Sequence, residues 1–417
     1  MTLSVKLAAV LANVLLVAAL TGAPAGASAG SDVPATDPTG FEPVAGAIFS
    51  DPTGTRDEQF AIIDHVNQLI DNSPAGSFIR LATMTLNPLT ADSLISAHQR
   101  GVNVRVILPA QMIGKPSPSR VTAETGTNTS AGSYVFYCRN SCYRDGSQGV
   151  HHSKLFLFSQ VGTTPNVIGT SSGNLDNYMA ERRYNDEYTV VDDAAGYRAG
   201  VANFDLMLAD SYHNAAAPTV TNKGITYHFF PRRRANLFGA IMNNVRCGGA
   251  TGGTGINGRT AIRMATSLWD RSRLDVARQI VDLRKRGCNI QVLAQSYNID
   301  RRILTMFRAN KVRFRFANTP RTALGNHSKY VAISGNFHGQ TNATSVYAGS
   351  LNLTAADNSS CDNNMIRITD ASAHDAYRAN FAGMWDKSAP VTAAQIQIQD
   401  ARTFVAGPKT VAADDGR

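Results

Sequence analysis

The stretch HHSKLFLFS, residues 151–159, returns downstream as NHSKYVAIS, residues 326–334. In both, a His-x-Lys triplet opens an apolar run of strand character. Taken singly, neither copy separates a core histidine from a catalyst or a metal ligand. The recurrence extends outward. FIRLATMTLN (78–87) matches AIRMATSLWD (261–270), and RGVNVRVIL (100–108) matches RGCNIQVLA (286–294). The chain therefore repeats itself, and the repeat sets the architecture.

Between the matched segments each half carries a helical stretch, Leu89 to Arg100 and Leu274 to Arg286. In the second, Leu274, Ala277, Ile280, Val281 and Leu283 recur near helical spacing. Further helices are expected near Arg56 to Ile70 and near Arg234 to Asn244. Continuous apolar runs such as VRVIL suit parallel strands covered on both faces, and short helical crossovers suit a layered α/β fold. Each half reads as helix, strand, helix, strand, an irregular insertion, then more strands. The insertion of the first half, Pro109 to about Tyr134, is rich in Ser, Thr, Gly and Pro. ATGGTGING (250–258) has the glycines of a phosphate cradle but lacks a following GK[ST], so it reads as a flexible surface loop.

The 417 residues accommodate two such units, and 43% apolar with 17% charged content excludes a disordered chain. Lys6, the apolar run Leu7 to Leu20 and the small-x-small Ala27-Ser28-Ala29 read as a signal peptide over residues 1–29, with an uncleaved anchor as the alternative. The apolar run is shorter than the roughly 20 residues of a membrane span. The expectation is a secreted, extracellular protein with lobes at 30–218 and 219–417, the boundary lying between Ala215 and Asn222. A net charge of +9 favours phosphate-bearing partners without choosing between nucleic acid and lipid. Of five cysteines, Cys138 with Cys142 and Cys247 with Cys288 are expected as disulfides, leaving Cys361 free. A zinc site at the CxxxC spacing is disfavoured, because no second Cys/His pair at ligand spacing accompanies it.

A strand places residues i and i+2 on one face. His152 and Lys154 therefore project together, as do His327 and Lys329, and imidazole beside ammonium suits an anionic substrate. His151 falls on the opposite face and reads as structural. Later in each half comes a small-residue turn with an asparagine, Ser171-Ser172-Gly173-Asn174 and Gly349-Ser350-Leu351-Asn352. Small residues let backbone N–H groups and the hydroxyls of Ser172 and Ser350 approach a phosphate oxygen, and the amides of Asn174 and Asn352 add donors. No carboxylate cluster or multi-histidine set stands out, so neither metal nor cofactor is expected.

The paired His-x-Lys and GSxN-like segments resemble the phospholipase D, or HKD, superfamily over nearly all of the chain beyond residue 29. The resemblance implies two duplicated α/β lobes, each a mixed sheet flanked by helices, packed around one shared active site. It implies a monomer that cleaves phosphodiesters in two steps through a phosphohistidine, without metal, and a phospholipid substrate at a membrane surface. His152 is expected as nucleophile and His327 as general acid/base, with the reverse order open. Lys154, Lys329, Asn174, Asn352, Ser172 and Ser350 would balance phosphoryl charge. The superfamily's motif Asp falls at Ser159 and Ser334, a departure shared by both halves. The resemblance also implies a carboxylate that bonds an active histidine after each GSxN segment. Glu187 of Tyr184-Asn185-Asp186-Glu187 fits this role, whereas Met365 of Asp362-Asn363-Asn364-Met365 does not. A nuclease of the same superfamily, favoured by Arg232-Arg233-Arg234, and a non-catalytic binding protein are the competing readings.

Overall fold

The computed structural model describes residues 40–143, 149–211, 216–317 and 324–396. The expected leader at 1–29 lies outside them, as does part of the expected boundary. The first half runs β1 (Gly46–Ser50), α1 (Arg56–Asp71), β2 (Phe78–Ala82), α2 (Pro88–Gln99), β3 (Asn103–Pro109) and α3 (Pro116–Thr125). It continues with β4 (Tyr134–Cys138), β5 (Leu155–Val161), β6 (Thr164–Ser171), α4 (Asn177–Arg182), β7 (Arg183–Val190) and α5 (Ala194–Leu208). After β8 (Val220–Asn222) the plan begins again with β9 (Ile225–Phe230), α6 (Leu237–Asn243), β10 (Ala261–Thr266), α7 (Leu274–Lys285), β11 (Asn289–Ala294), α8 (Arg301–Ala309) and β12 (Arg313–Phe316). It closes with β13 (Gly325–Asn326), β14 (Tyr330–Phe337), β15 (Gln340–Gly349), α9 (Ala355–Ser359), β16 (Asn363–Ile368), α10 (Ala371–Asp386) and β17 (Ala389–Pro390).

The two sheets have one topology. The first is ordered β1-β7-β6-β5-β2-β3-β4, and the second contains β9-β16-β15-β14-β10-β11-β12. In each, the three strands linked by helical crossovers are parallel and the others, apart from the short β13 added in parallel to β7, are antiparallel. The four expected helices form within a few residues of their expected limits. Thr55 and Glu58 close a capping box at the start of α1. The stretch 109–134 is not wholly irregular, as it contains α3. Pro116 presets the first turn and Val121 anchors the helix in the core, which outweighs its polar composition.

Strand alternation sorts the apolar side chains into layers. Phe156 and Phe158 of β5 face outward and pack with Val66 and Leu69 of α1, Leu94 of α2 and Val121 of α3. Ile262 and Ile333 likewise pack with residues of α6, α7 and α8 on the outer side of the second sheet. Leu155 and Leu157 face the other way and join Tyr330 and Ala332 in a central core that also takes Phe204 of α5 and Phe381 of α10. Because both sheets contribute to this middle layer, the described residues of the two halves form one compact unit. Both expected disulfides form, and Cys361 is free and buried. Among the described residues no helix is long and apolar enough to cross a membrane.

Candidate active site

The two His-x-Lys triplets sit just before β5 and β14, in extended segments rather than within the strands themselves. Each segment is docked on the opposite half. The His152 N–H donates to the carbonyl of Asp362 (3.0 Å), and the His327 N–H to that of Tyr184 (2.9 Å). β13, which leads into His327, pairs in parallel with β7 of the first sheet, and His151 bridges Asp362 beside β16. His152, Lys154, His327 and Lys329 are at most 1% exposed.

The imidazoles are held by asparagines, again across halves. His152 Nδ1 lies 2.7 Å from Asn363 Oδ1 at the start of β16, and His327 Nδ1 lies 3.0 Å from Asn185 Oδ1 in β7. The amide orientations are fixed by their other bonds. Asn185 Nδ2 donates to the carbonyls of Met179 and Arg183 (3.1 and 3.0 Å), which can only accept. Asn363 Nδ2 donates to the carbonyl of Asp357 (3.1 Å), while its Oδ1 also accepts from the Ser350 hydroxyl (2.9 Å). Each Oδ1 therefore accepts from an Nδ1–H, which leaves Nε2 of each ring as the nitrogen that exchanges a proton or bonds to phosphorus. Lys329 Nζ, 2.9 Å from His327 Nε2, agrees with this tautomer.

Glu187 does not take the expected part. It follows Asn185 on the same strand face, two residues further along, and the closer residue reaches the imidazole first. Thr189 Oγ1 donates to Glu187 Oε1 (3.0 Å) and lies 2.9 Å from His65 Nε2. Burial pushes the Glu187 carboxyl well above its ordinary range and holds the His65 imidazole down to about 4. The asparagines were legible as the one residue shared by the YNDE and DNNM segments.

The small-residue turns also work across halves. Ser350 braces Asn363 beside His152, and Lys329 Nζ reaches the carbonyl of Ser172 at 3.5 Å. Each turn thus borders the other half's His-x-Lys triplet as well as its own, since the Ser171 N–H also donates to the carbonyl of Lys154 (3.0 Å). Asn174 and Asn352 are buried in these turns, and one N–H of Asn352 faces Asp357 Oδ1 at 3.3 Å. The Ser172 hydroxyl donates to the carbonyl of Asp186 (3.2 Å), so it braces the turn against β7. Lys154 Nζ is held on the carbonyl of His152 (3.1 Å). Each half thus sets a buried lysine beside a buried imidazole, a pairing suited to an anion, because electrostatic stabilisation is stronger in a desolvated setting than in water.

The serines at the motif-Asp positions are framework. Ser159 Oγ accepts the N–H of Phe78 (2.8 Å), and Ser334 Oγ accepts that of Gly255 (2.9 Å) in the Gly-rich turn. That turn lines a cavity of about 630 Å³ with Arg263, Arg378 and Trp385, and none of the motif histidines or lysines borders it. His151 is structural, with Nδ1 3.1 Å from Asp362 Oδ2. Cys138, Cys142 and His151 converge, but the two cysteines bond each other and leave the imidazole as a single donor.

The sequence profile of the family described as cardiolipin synthase, PLD-like domain, matches residues 67–204 and 256–385, once on each half. The chain belongs to the phospholipase D superfamily. Its members act on phosphodiester bonds. Among solved structures, this superfamily member resembles phosphatidylserine synthase of Haemophilus influenzae Rd KW20, with a TM-score of 0.56 and 11% identity over 83% of this chain and 87% of that one. It also resembles polyphosphate kinase of Porphyromonas gingivalis, with a TM-score of 0.55 and 14% identity over 84% of this chain. The match spans about half, 49%, of the kinase. At these identities the likeness is one of fold. No curated protein sequence matches.

Proposed function

We propose that the protein is a secreted phosphodiesterase of phospholipase D type, which hydrolyses the head-group phosphodiester of phospholipids at a membrane surface. The observation that carries this reading is the crossed pair of histidines, each fixed by an amide oxygen as the Nδ1–H tautomer with a lysine two residues on. Such a pair supplies a nucleophile and a general acid/base in one centre. In the first step His152 Nε2 bonds to phosphorus. The head-group oxygen leaves with the proton that His327, entering as imidazolium, carries on Nε2, and a phosphohistidine remains. In the second, His327 takes a proton from water, which attacks phosphorus and frees His152. Lys154, Lys329, Asn174 and Asn352 balance charge on the phosphoryl oxygens. The chain's own cations supply that charge, so the reaction is read as metal-independent.

A nuclease with the same centre is the weaker reading. Arg232, part of its basic cluster, donates to the carbonyls of Phe229 and Ala217 (2.8 and 2.7 Å) and is committed to the framework.

The test incubates the purified protein, with EDTA, separately with phosphatidylcholine vesicles and with plasmid DNA. Choline release that is lost in His152→Ala is expected. DNA cleavage without choline release would transfer the activity to nucleic acid, and full activity in His152→Ala would remove the mechanism.

A further inference from the structure

Residues 171–187 and 349–365 align without a gap, pairing Asn174 with Asn352 and Asn185 with Asn363. The residues that grip the imidazoles are thus the same in both halves. The residue behind the grip differs, because Met179 in the first half corresponds to Asp357 in the second. Behind Asn185, Nδ2 meets the carbonyls of Met179 and Arg183 and the Ser50 hydroxyl, all neutral groups. Behind Asn363, Nδ2 meets Asp357, at 3.1 Å from its carbonyl and 3.4 Å from its Oδ1.

Asp357 is fully buried. Its Oδ1 also faces Asn352 Nδ2, and its Oδ2 accepts from the Thr354 hydroxyl at 2.5 Å. Oδ1 stands 3.9 Å from His152 Nδ1. One carboxylate thus braces the amide that holds His152, touches the asparagine of the GSxN turn, and places a negative charge beside the ring. At His327 the corresponding brace is uncharged, and the ammonium of Lys329 lies at 2.9 Å from Nε2.

We infer that Asp357 is a positioning residue that acts through Asn363 to make His152, and not His327, the nucleophile. This rests on the phosphodiesterase reading above. When Nε2 bonds to phosphorus while Nδ1 keeps its proton, the ring becomes a phosphoimidazolium. The P–O bond breaks, its electron pair stays on the departing oxygen, and the positive charge spreads over the ring. The carboxylate at 3.9 Å stabilises that charge as it develops, through a chain running from Asp357 to Asn363 to Nδ1–H. Behind Asn185 the partners are neutral, so His327 lacks this brace.

Bis(p-nitrophenyl) phosphate tests this with the full chain. Its leaving group departs without a general acid, so His327→Ala is expected to release one equivalent of nitrophenolate and then stall, with the phosphoryl adduct located on His152 by peptide mass spectrometry. Adding Asp357→Asn is expected to slow this burst on the order of 10- to 100-fold, the scale of an orienting outer partner. In the otherwise wild-type chain, Asp357→Asn lowers kcat while KM stays within about twofold, and Asp357→Glu, which keeps the charge, recovers part of the rate. A burst in His152→Ala with its adduct on His327, as large as that of His327→Ala, or an undiminished burst with Asp357→Asn, overturns the inference while leaving the phosphodiesterase reading intact. Equal loss of rate and of melting temperature in the Asn and Glu variants makes Asp357 merely structural and also overturns it. A wild-type chain inert to this substrate and to phospholipid removes both.

Discussion

Glu187 and Asn185 are two residues apart on one strand face, and exchanging their roles changes the chemistry of the site. A carboxylate on a histidine would favour the imidazolium in both halves alike. Amides bond both rings through neutral oxygens, and they differ in what stands behind them, Asp357 in one half and neutral groups in the other. Glu187 is left as a buried acid with Thr189 as hydroxyl donor. The folded chain holds a proton there that the unfolded chain releases above about 4.5, so stability falls as pH rises from 4.5 through the folded value. Glu187→Gln, neutral at every pH, is expected to match the wild type near pH 4 and to become increasingly more stable than it toward pH 8. Melting temperatures across that range decide it, and a pH-independent difference would refute it. The serines at the motif-Asp positions make a parallel point. The sequence raised a doubt about Ser159 and Ser334, and their hydrogen bonds to the N–H groups of Phe78 and Gly255 place them in the framework.

At the scale of elements, the two small-residue turns differ in backbone as well as composition. Gly349 has φ +148°, and a Cβ there would run into the carbonyl oxygen of Asn364. Ser171, its counterpart, has no such constraint and donates its hydroxyl to the carbonyl of Asp186 (3.0 Å). Gly349→Ala is therefore expected to cost about 1–3 kcal/mol, read by chemical denaturation, and to lower activity, since the turn carries Ser350 against Asn363. A stable, fully active variant would show that the turn tolerates movement. The helices and central strands were legible because amphipathic spacing and apolar runs are local signals. α3 was not, because its helix rests on one buried valine and a proline first turn inside a polar segment. The His-x-Lys triplets were placed in strands by parity but lie just before them. The pairing of side chains two apart survives, because an extended chain alternates whether or not it is hydrogen-bonded into a sheet.

At the scale of the molecule, a central core shared by both sheets and α5 and α10 makes the halves one cooperative structure. Calorimetry is expected to give a single unfolding transition, coincident by near- and far-ultraviolet circular dichroism. Two separable transitions would contradict a shared core. The same sharing builds the site, since neither half holds its own histidine. By itself, the sequence determined the duplication, the layered α/β class and the two His-x-Lys triplets, because each is written in periodicity, in short spacings or in repetition; it offered both disulfide pairings, which the folded chain then closed. Only the tertiary structure decided which asparagine meets which histidine, and that Asp357 stands behind one of them. Those contacts join residues 142 and 211 positions apart, and local sequence carries no signal of which distant residue a strand will bring to its edge.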